Sequence, residues 1–163
     1  MHRLLLMRHA RAAWSQDEAD QERSLSERGR LEAQQMGQRL RARQFKPQTL
    51  ICSPALRARE TAEIVGRLLG FDAQQISRVD ELYLASPDTL LSQIQTHADN
   101  QNLMVVSHNP GLTGLVNRLA AGRVDNMPTA AYALFEIGNG FSTENLYPAS
   151  IDFPANPGDP FAA

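Results

Sequence analysis

The sequence predicts an α/β fold, a three-layer sandwich in which helices cover both faces of a mostly parallel central sheet. Three short apolar runs, at residues 4–7, 49–52 and 103–106, have the length and composition of strands buried on both faces. A stretch with apolar residues at helical spacing follows each of them. Because strands and helices alternate in this order, we expect right-handed crossovers between parallel strands.

The first helix is predicted to run from Ser26, its N-cap, to about Arg43. Its buried stripe is formed by Ala33, Met36, Gly37 and Leu40. The second helix is predicted to follow the run 49–52 directly. Ser53 would cap it, Pro54 would take its first position, and Gly70 would end it.

The remaining elements follow from similar signals. A third strand is predicted at 76–79, and Ser86 with Pro87 begins another helix. The run 103–106 is followed by a fourth helix. Strands at 132–137 and 146–151 would form a hairpin around residues 138–140, and the tail from about 153 is expected to be loosely ordered.

Residues 11–23 are predicted to form a polar surface loop beside a site. The loop carries four acidic residues, Asp17, Glu18, Asp20 and Glu22. It also contains Trp14, which we expect to pack back on the core.

Composition limits the classes of function. The 163 residues suit one domain, and a net charge of −2 argues against a general nucleic-acid or membrane-surface binder. The single cysteine, Cys52, excludes an internal disulfide and is expected to be a buried, inert thiol. No apolar stretch reaches the roughly 20 residues of a membrane span. The amino terminus is too poor in apolar residues for a secretory signal, so we expect a cytoplasmic protein.

Each of the three apolar runs ends in polar residues. Arg8 and His9 follow the first, Ser53 follows the second, and His108 lies just after the third. Arg57 lies about one turn into the helix after the second run. Since parallel strands bring their carboxyl ends to one sheet edge, these side chains are expected to converge, without any carboxylate among them.

A pocket of this kind is cationic, and its natural ligand is a phosphate or another dianion. The two histidines could instead bind a metal ion, but neighbouring arginines repel a cation and no Asp or Glu accompanies the pair. We therefore expect neither a metal nor a cofactor. A P-loop is excluded because no Gly-rich run with Lys-Ser or Lys-Thr is present.

With phosphate held by arginines, a neutral imidazole can attack phosphorus and carry the phosphoryl group. We expect His9 to attack in line. Arg8, Arg57 and His108 would neutralise the charge on the equatorial oxygens.

These residues resemble the signature of the histidine phosphatase superfamily, also called phosphoglycerate-mutase-like. Its Arg-His-Gly/Ala triplet matches Arg8, His9 and Ala10, and its Ser-Pro-x-x-Arg-Ala-x-x-Thr-Ala block matches residues 53–62. A strand ending in Ser-His matches residues 107–108. The short length, the helix start at 25–29 and the His-Asn-Pro-Gly-Leu run are most similar to the SixA-type phosphohistidine phosphatases.

The resemblance implies a phosphoglycerate-mutase-like fold for one domain over residues 1–163 and a phosphorylated His9. The phosphate-binding set that we expect comprises Arg8, Arg57, His108, Arg23, Ser53 and Asn109. For Arg23, a solvated loop arginine is an equally good interpretation.

One departure from the superfamily concerns the proton donor. Members that act on alkyl phosphates usually carry a glutamate in a Leu-x-Glu context, where this chain has Leu84. Asp80 and Glu81 are near but shifted. A missing acid favours a good leaving group such as the imidazole of phosphohistidine, because an alkoxide needs general-acid help.

The sequence therefore predicts a metal-independent phosphatase acting on phosphohistidine in a protein. A phosphatase of small-molecule phosphomonoesters is the first alternative and would need Asp80 or Glu81 as its acid. A non-catalytic phosphoprotein-binding module is the second. It is disfavoured because binding alone requires the arginines but not His9.

Overall fold

Six strands form one mixed sheet in the computed structural model, which describes residues 2–120 and 124–154. The strands are β1 (His2–Arg8), β2 (Thr49–Cys52), β3 (Ser77–Arg78), β4 (Leu103–Ser107), β5 (Tyr132–Ile137) and β6 (Leu146–Asp152). Their order across the sheet is β3-β2-β4-β1-β5-β6. The first four strands pair in parallel, and β5 and β6 are antiparallel.

Four helices connect these strands, as the periodicity predicts. They are α1 (Glu27–Ala42), α2 (Leu56–Leu68), α3 (Pro87–His97) and α4 (Gly111–Leu119). Ser26 caps α1 by accepting a hydrogen bond from the Gly29 amide, and Ser86 caps α3 in the same way from Thr89. Both predicted caps are confirmed.

The core lies on both faces of the sheet. Leu5 and Met7 of β1 pack with the apolar stripes of α1 and α2, whereas Leu4 and Leu6 pack with α3 and α4. Successive side chains of a strand point to opposite faces, so a run buried on both faces must be apolar throughout. All four residues are fully buried, which confirms the three-layer arrangement.

The start of α2 corrects a prediction. Ser53 does not cap this helix and Pro54 is not its first residue, because α2 begins at Leu56 after Ala55. The Ser53 hydroxyl lies 2.7 Å from His108 Nε2 and accepts a hydrogen bond from the Ala55 amide. Both hydrogen bonds of the hydroxyl are therefore made within and beside the strand-to-helix turn. No side chain caps α2.

The connection after β1 differs from prediction at Trp14. This side chain is 76% exposed instead of packing on the core. Its neighbours Ala12 and Ala13 pair with residues 24–25 through backbone contacts, and these hold the strand-like base of the loop. The backbone pairing leaves the tryptophan pointing outward.

Two glycines allow helix starts to touch neighbouring loops. A Cβ on Gly111 would lie 1.9 Å from the Ala85 carbonyl oxygen, and one on Gly29 would lie 2.0 Å from that of Arg11. Only glycine permits such approaches. α4 therefore begins directly against the loop before α3, and α1 begins directly against the loop after β1.

Two further observations bear on the predictions. The loosely ordered tail expected from about 153 falls almost wholly on residues 155–163, which lie outside the described residues. In the part of the chain that the structure covers, no helix has the length and apolar character needed to cross a membrane.

Candidate active site

The carboxyl ends of β1, β2 and β4 meet at one edge of the sheet. Arg8 is paired with Ser107, and Cys52 with Val106, so the residues that follow each strand lie side by side. The His9 amide donates to the Ser107 carbonyl at 3.1 Å. The rings of His9 and His108 are consequently 5.0 Å apart between centroids.

His9 is held as a neutral imidazole whose Nε2 makes no hydrogen bond to the residues that the structure describes. Its Nδ1 lies 2.7 Å from the Ala10 carbonyl oxygen, which can only accept, so Nδ1 carries the proton and Nε2 carries the lone pair. Burial, together with the nearby charges of Arg57, Arg8 and Arg23, lowers the pKa of His9 to about 4 against the opposing effect of the Ala10 carbonyl. His9 is therefore uncharged and nucleophilic at neutral pH.

His108 is fixed in the opposite tautomer. Arg57 Nη2 lies 3.4 Å from its Nδ1, and a guanidinium can only donate, so Nδ1 accepts and Nε2–H donates to Ser53 Oγ. Burial, followed by the proximity of His9 and Arg57, lowers the pKa of His108 to about 3. Tyr83 meets this ring edge-on at 5.5 Å.

The two predicted arginines border the same pocket. Arg57, only 4% exposed, projects from the first turn of α2. Arg8 donates from Nη1 to the Met127 carbonyl at 2.9 Å. Its buried Nε has no hydrogen-bond partner among the residues that the structure describes. Burial and the Arg57 charge lower the pKa of Arg8, yet a guanidinium remains a cation at any physiological pH.

The expectation that no carboxylate lies among these groups is wrong. Asp20 accepts from Arg57 Nη2 at 2.9 Å and from Arg23 Nη1 at 3.2 Å, and the Tyr83 hydroxyl also donates to it. These contacts, led by the Tyr83 hydrogen bond, lower the pKa of Asp20 to about 2. The carboxylate reaches the pocket from a loop without periodicity, and only its place in the acidic cluster marked it in the sequence.

Arg23 lies beside Asp20 with 29% of its side chain exposed. Its Nε donates to the Ala13 carbonyl at 3.3 Å while Nη1 donates to Asp20. Tyr83, which sequence reasoning missed, occupies the position before Leu84. It follows the short 3-10 turn Asp80–Leu82.

Ser53 and Asn109 do not stand as free phosphate ligands. Ser53 is buried against His108. The Asn109 amide donates to Asn126 and to the Met127 carbonyl, and its oxygen accepts twice from Thr113. All four hydrogen-bonding positions of the Asn109 side chain are thus used to hold the start of α4 against residues 126–127.

The expected position of a general acid holds no acid. Leu84 is 54% exposed and adopts a left-handed backbone conformation with φ of 48°. Asp80 and Glu81 are exposed on the preceding turn. Within residues 2–120 and 124–154, no hydrogen bond joins either carboxylate to His9, His108 or Arg57, and no three His, Cys, Asp or Glu side chains are grouped as metal ligands.

Taken as chemistry, the pocket pairs a neutral nucleophilic imidazole with three guanidinium groups. Guanidinium groups bind phosphoryl oxygens and stabilise the negative charge of a phosphoryl-transfer transition state. Such a pocket can bind a phosphoryl group and accept it on nitrogen.

Comparison with known proteins agrees with this arrangement. Residues 4–90 match the family model of the histidine phosphatase superfamily (branch 1). An uncharacterised protein of Mycobacterium tuberculosis is 37% identical over 116 residues, covering 71% of this chain and 70% of that protein.

Two solved structures are similar over nearly the whole chain. One is named as a phosphohistidine phosphatase, SixA, of Agrobacterium tumefaciens. It is 28% identical with a TM-score of 0.80, over 94% of this chain and 99% of that one. The other is the protein histidine phosphatase SixA complexed with tungstate, 25% identical with a TM-score of 0.78, over 91% and 95%.

Proposed function

Because the chain belongs to the histidine phosphatase superfamily and is of SixA type, we propose that it hydrolyses phosphohistidine on a protein through a phosphoryl group carried on His9. The observation that carries the proposal is the state of His9. Its Nδ1 is fixed by the Ala10 carbonyl, and its lowered pKa leaves Nε2 with a lone pair. The three arginines whose charges act on this ring, Arg57, Arg8 and Arg23, would hold the phosphoryl oxygens.

The reaction has two displacements. In the first, His9 Nε2 forms a bond to phosphorus while the N–P bond of the substrate breaks, and the substrate imidazole leaves with the electron pair. In the second, water attacks phosphorus, the bond to His9 breaks, and the proton of the water leaves with inorganic phosphate or to solvent. Arg8 and Arg57 would stabilise the equatorial oxygens in both steps, and His108, whose two ring nitrogens bond to Arg57 and Ser53, would position the Arg57 guanidinium.

The substrate class follows from the leaving group. An imidazole protonated on its second nitrogen departs with a pKa near 6.5, whereas an alkoxide is far more basic and needs an acid beside it. The acid position of the superfamily holds Leu84, which faces solvent. Asp80 and Glu81 are also exposed, which lends less support to hydrolysis of alkyl phosphomonoesters.

Rapid quenching with a 32P-phosphohistidine protein tests the proposal. We expect acid-labile, base-stable label on this protein within the first turnover. His9→Ala should lose both the label and at least about 10⁴-fold in kcat, since it removes the nucleophile. His97→Ala is a matched control, because His97 lies on α3 and its Nδ1 donates to the Gln93 carbonyl of the same helix. Undiminished turnover by His9→Ala would refute the proposal.

A further inference from the structure

The Asp20 carboxylate lies on Arg57, where the phosphoryl group is expected. We propose that Asp20 is an internal anionic ligand of the phosphoryl site, displaced when substrate binds and restored as inorganic phosphate leaves. The proposal rests on the proposed function, because it takes Arg57 and Arg23 as phosphate ligands. It goes beyond that function by giving the loop after β1 a part in each turnover.

Arg57 makes two contacts with Asp20, a fixed one to the backbone and an exchangeable one to the side chain. Arg57 Nη1 donates to the Asp20 backbone carbonyl at 2.7 Å, and Nη2 donates to its carboxylate at 2.9 Å. The same carbonyl also accepts from the Arg23 amide. The backbone is therefore held at two points. The side chain is 44% exposed, so it can rotate toward solvent without moving the loop.

Charge explains why such a ligand is present. Arg57 is almost fully buried, and a buried cation without a counter-ion is strongly unfavourable. Asp20 supplies this counter-ion and is ionised at physiological pH because its pKa is about 2. A phosphate dianion brings twice the charge and repels the carboxylate. The observed binding free energy of phosphate is therefore the difference between its own interaction with Arg57 and that of the Asp20 carboxylate.

Tyr83 would serve both states of the site. Its hydroxyl donates to the Asp20 carboxylate, and its ring meets His108 edge-on at 5.5 Å. Once the carboxylate rotates away, the hydroxyl is free to donate to a phosphoryl oxygen at the same place. The exchange then gives a new acceptor to the Arg57 Nη2 and Tyr83 hydroxyl donors that the Asp20 carboxylate releases.

The consequence is weaker binding of the product. Inorganic phosphate leaves a pocket of three arginines more readily when a tethered carboxylate can replace it. Removing the charge of Asp20 should therefore tighten phosphate binding, the opposite of what loss of an ordinary active-site residue does.

Titration calorimetry with inorganic phosphate tests this in Asp20→Asn and in a matched control, Asp17→Asn. Asparagine keeps the shape of the side chain and can still accept from Tyr83. Asp17 lies on the same loop and carries the same charge, but it makes no side-chain contact with Arg57. We expect Asp20→Asn to bind phosphate about tenfold more tightly, the factor of one charge-assisted hydrogen bond. Asp17→Asn should stay within about twofold of the unaltered protein.

Two further measurements separate this role from a structural one. In steady-state kinetics Asp20→Asn should lower KM by a similar factor without raising kcat, because a competing ligand opposes ground and transition states equally. The tighter binding should disappear in an Arg57→Gln background, because Asp20 acts through Arg57.

The outcomes are distinct. Unchanged or weaker phosphate binding by Asp20→Asn overturns the proposal, as does equal tightening by Asp17→Asn. If neither the unaltered protein nor Asp20→Asn binds phosphate, the proposed function and this inference both fail. Full turnover by His9→Ala would remove the covalent route alone, because the phosphate titration does not depend on the nucleophile.

Discussion

His9 and Cys52 are two buried side chains of nucleophilic type at the ends of β1 and β2, on either side of β4 in the sheet, and burial affects them in opposite ways. Burial lowers the pKa of His9 to about 4 and raises that of Cys52 to about 12. In both cases the apolar surroundings favour the neutral form. Neutral imidazole is nucleophilic, whereas a neutral thiol is not. The same desolvation therefore keeps His9 in its nucleophilic form and keeps Cys52 in an unreactive form.

The arginines of α2 extend the comparison. Arg57 faces the histidines, while Arg59, two residues later, lines a cavity of about 350 Å³ that also contains Cys52, Glu63 and Arg78. Both regions hold guanidinium groups, but only the first holds a nucleophile in its reactive form. Position on the helix, more than residue type, decides which arginine serves the site.

The largest expected difference between the two regions is in kcat/KM, when Arg57 and Arg59 are each replaced with glutamine. Arg57→Gln should lower kcat/KM by about 10²–10³-fold, because it removes a preorganised donor to the transferring phosphoryl group. Arg59→Gln should stay within about threefold. Steady-state kinetics on one phosphohistidine substrate measure both, and equal losses would show that the two regions are not functionally distinct.

The pKa of His9 can be measured directly by NMR. The imidazole signals of His9 should not move between pH 8 and 5 and should titrate near pH 4, whereas the urea-unfolded protein should titrate near 6.5. At pH 5 an ordinary histidine would be only about 3% neutral. Titration of His9 near 6.5 in the folded protein would contradict the argument from burial.

Stability should fall toward both ends of the pH scale, for opposite reasons. The pKa values of His9 and His108 are lower in the folded state, about 4 and about 3, so unfolding takes up protons and stability is lost as pH falls from about 6.5 toward 3. Cys52 and Tyr132 have raised pKa values, so stability is lost as pH rises above about 9.

Urea unfolding across this range separates the contributions. Cys52→Ala should reduce the alkaline loss of stability by up to about 4 kcal/mol, the equivalent of its pKa shift, and should leave the part due to Tyr132. An alkaline limb unaltered by Cys52→Ala would show that the thiol ionises equally in both states.

The smallest effect concerns the reactivity of Cys52. Iodoacetamide at pH 8 should not modify the native protein within hours, because the thiol is fully buried and protonated. The guanidinium-unfolded chain should be modified readily, and Cys52→Ala should keep kcat within about twofold. Mass spectrometry follows the labelling, and rapid modification of the native protein would contradict the burial.

The parts of the structure that sequence predicts well are those with a local pattern. The stripe on α1 and the caps at Ser26 and Ser86 follow from spacing and capping chemistry. Arg8, His9 and His108 converge because parallel strands place their carboxyl ends together, which topology alone dictates.

The parts that it misses depend on contacts between distant segments. Asp20 meets Arg57 and Tyr83 across 37 and 63 residues, from a loop without periodicity. Ser53 fails as a cap because His108, which lies 55 residues further along the chain, engages its hydroxyl. Local capping rules cannot detect a competing partner of that kind.

Gly29 and Gly111 have a consequence for motion. Each lets a helix start rest on the backbone of a loop bordering the site, at Arg11 and Ala85. Neither loop can slide past its helix without breaking a backbone-to-backbone contact, so closure of a lid on the microsecond scale is not expected from these segments. The walls of the pocket act as a rigid frame. If Asp20 is displaced as we propose, the motion that admits a phosphoryl group is the rotation of one carboxylate side chain.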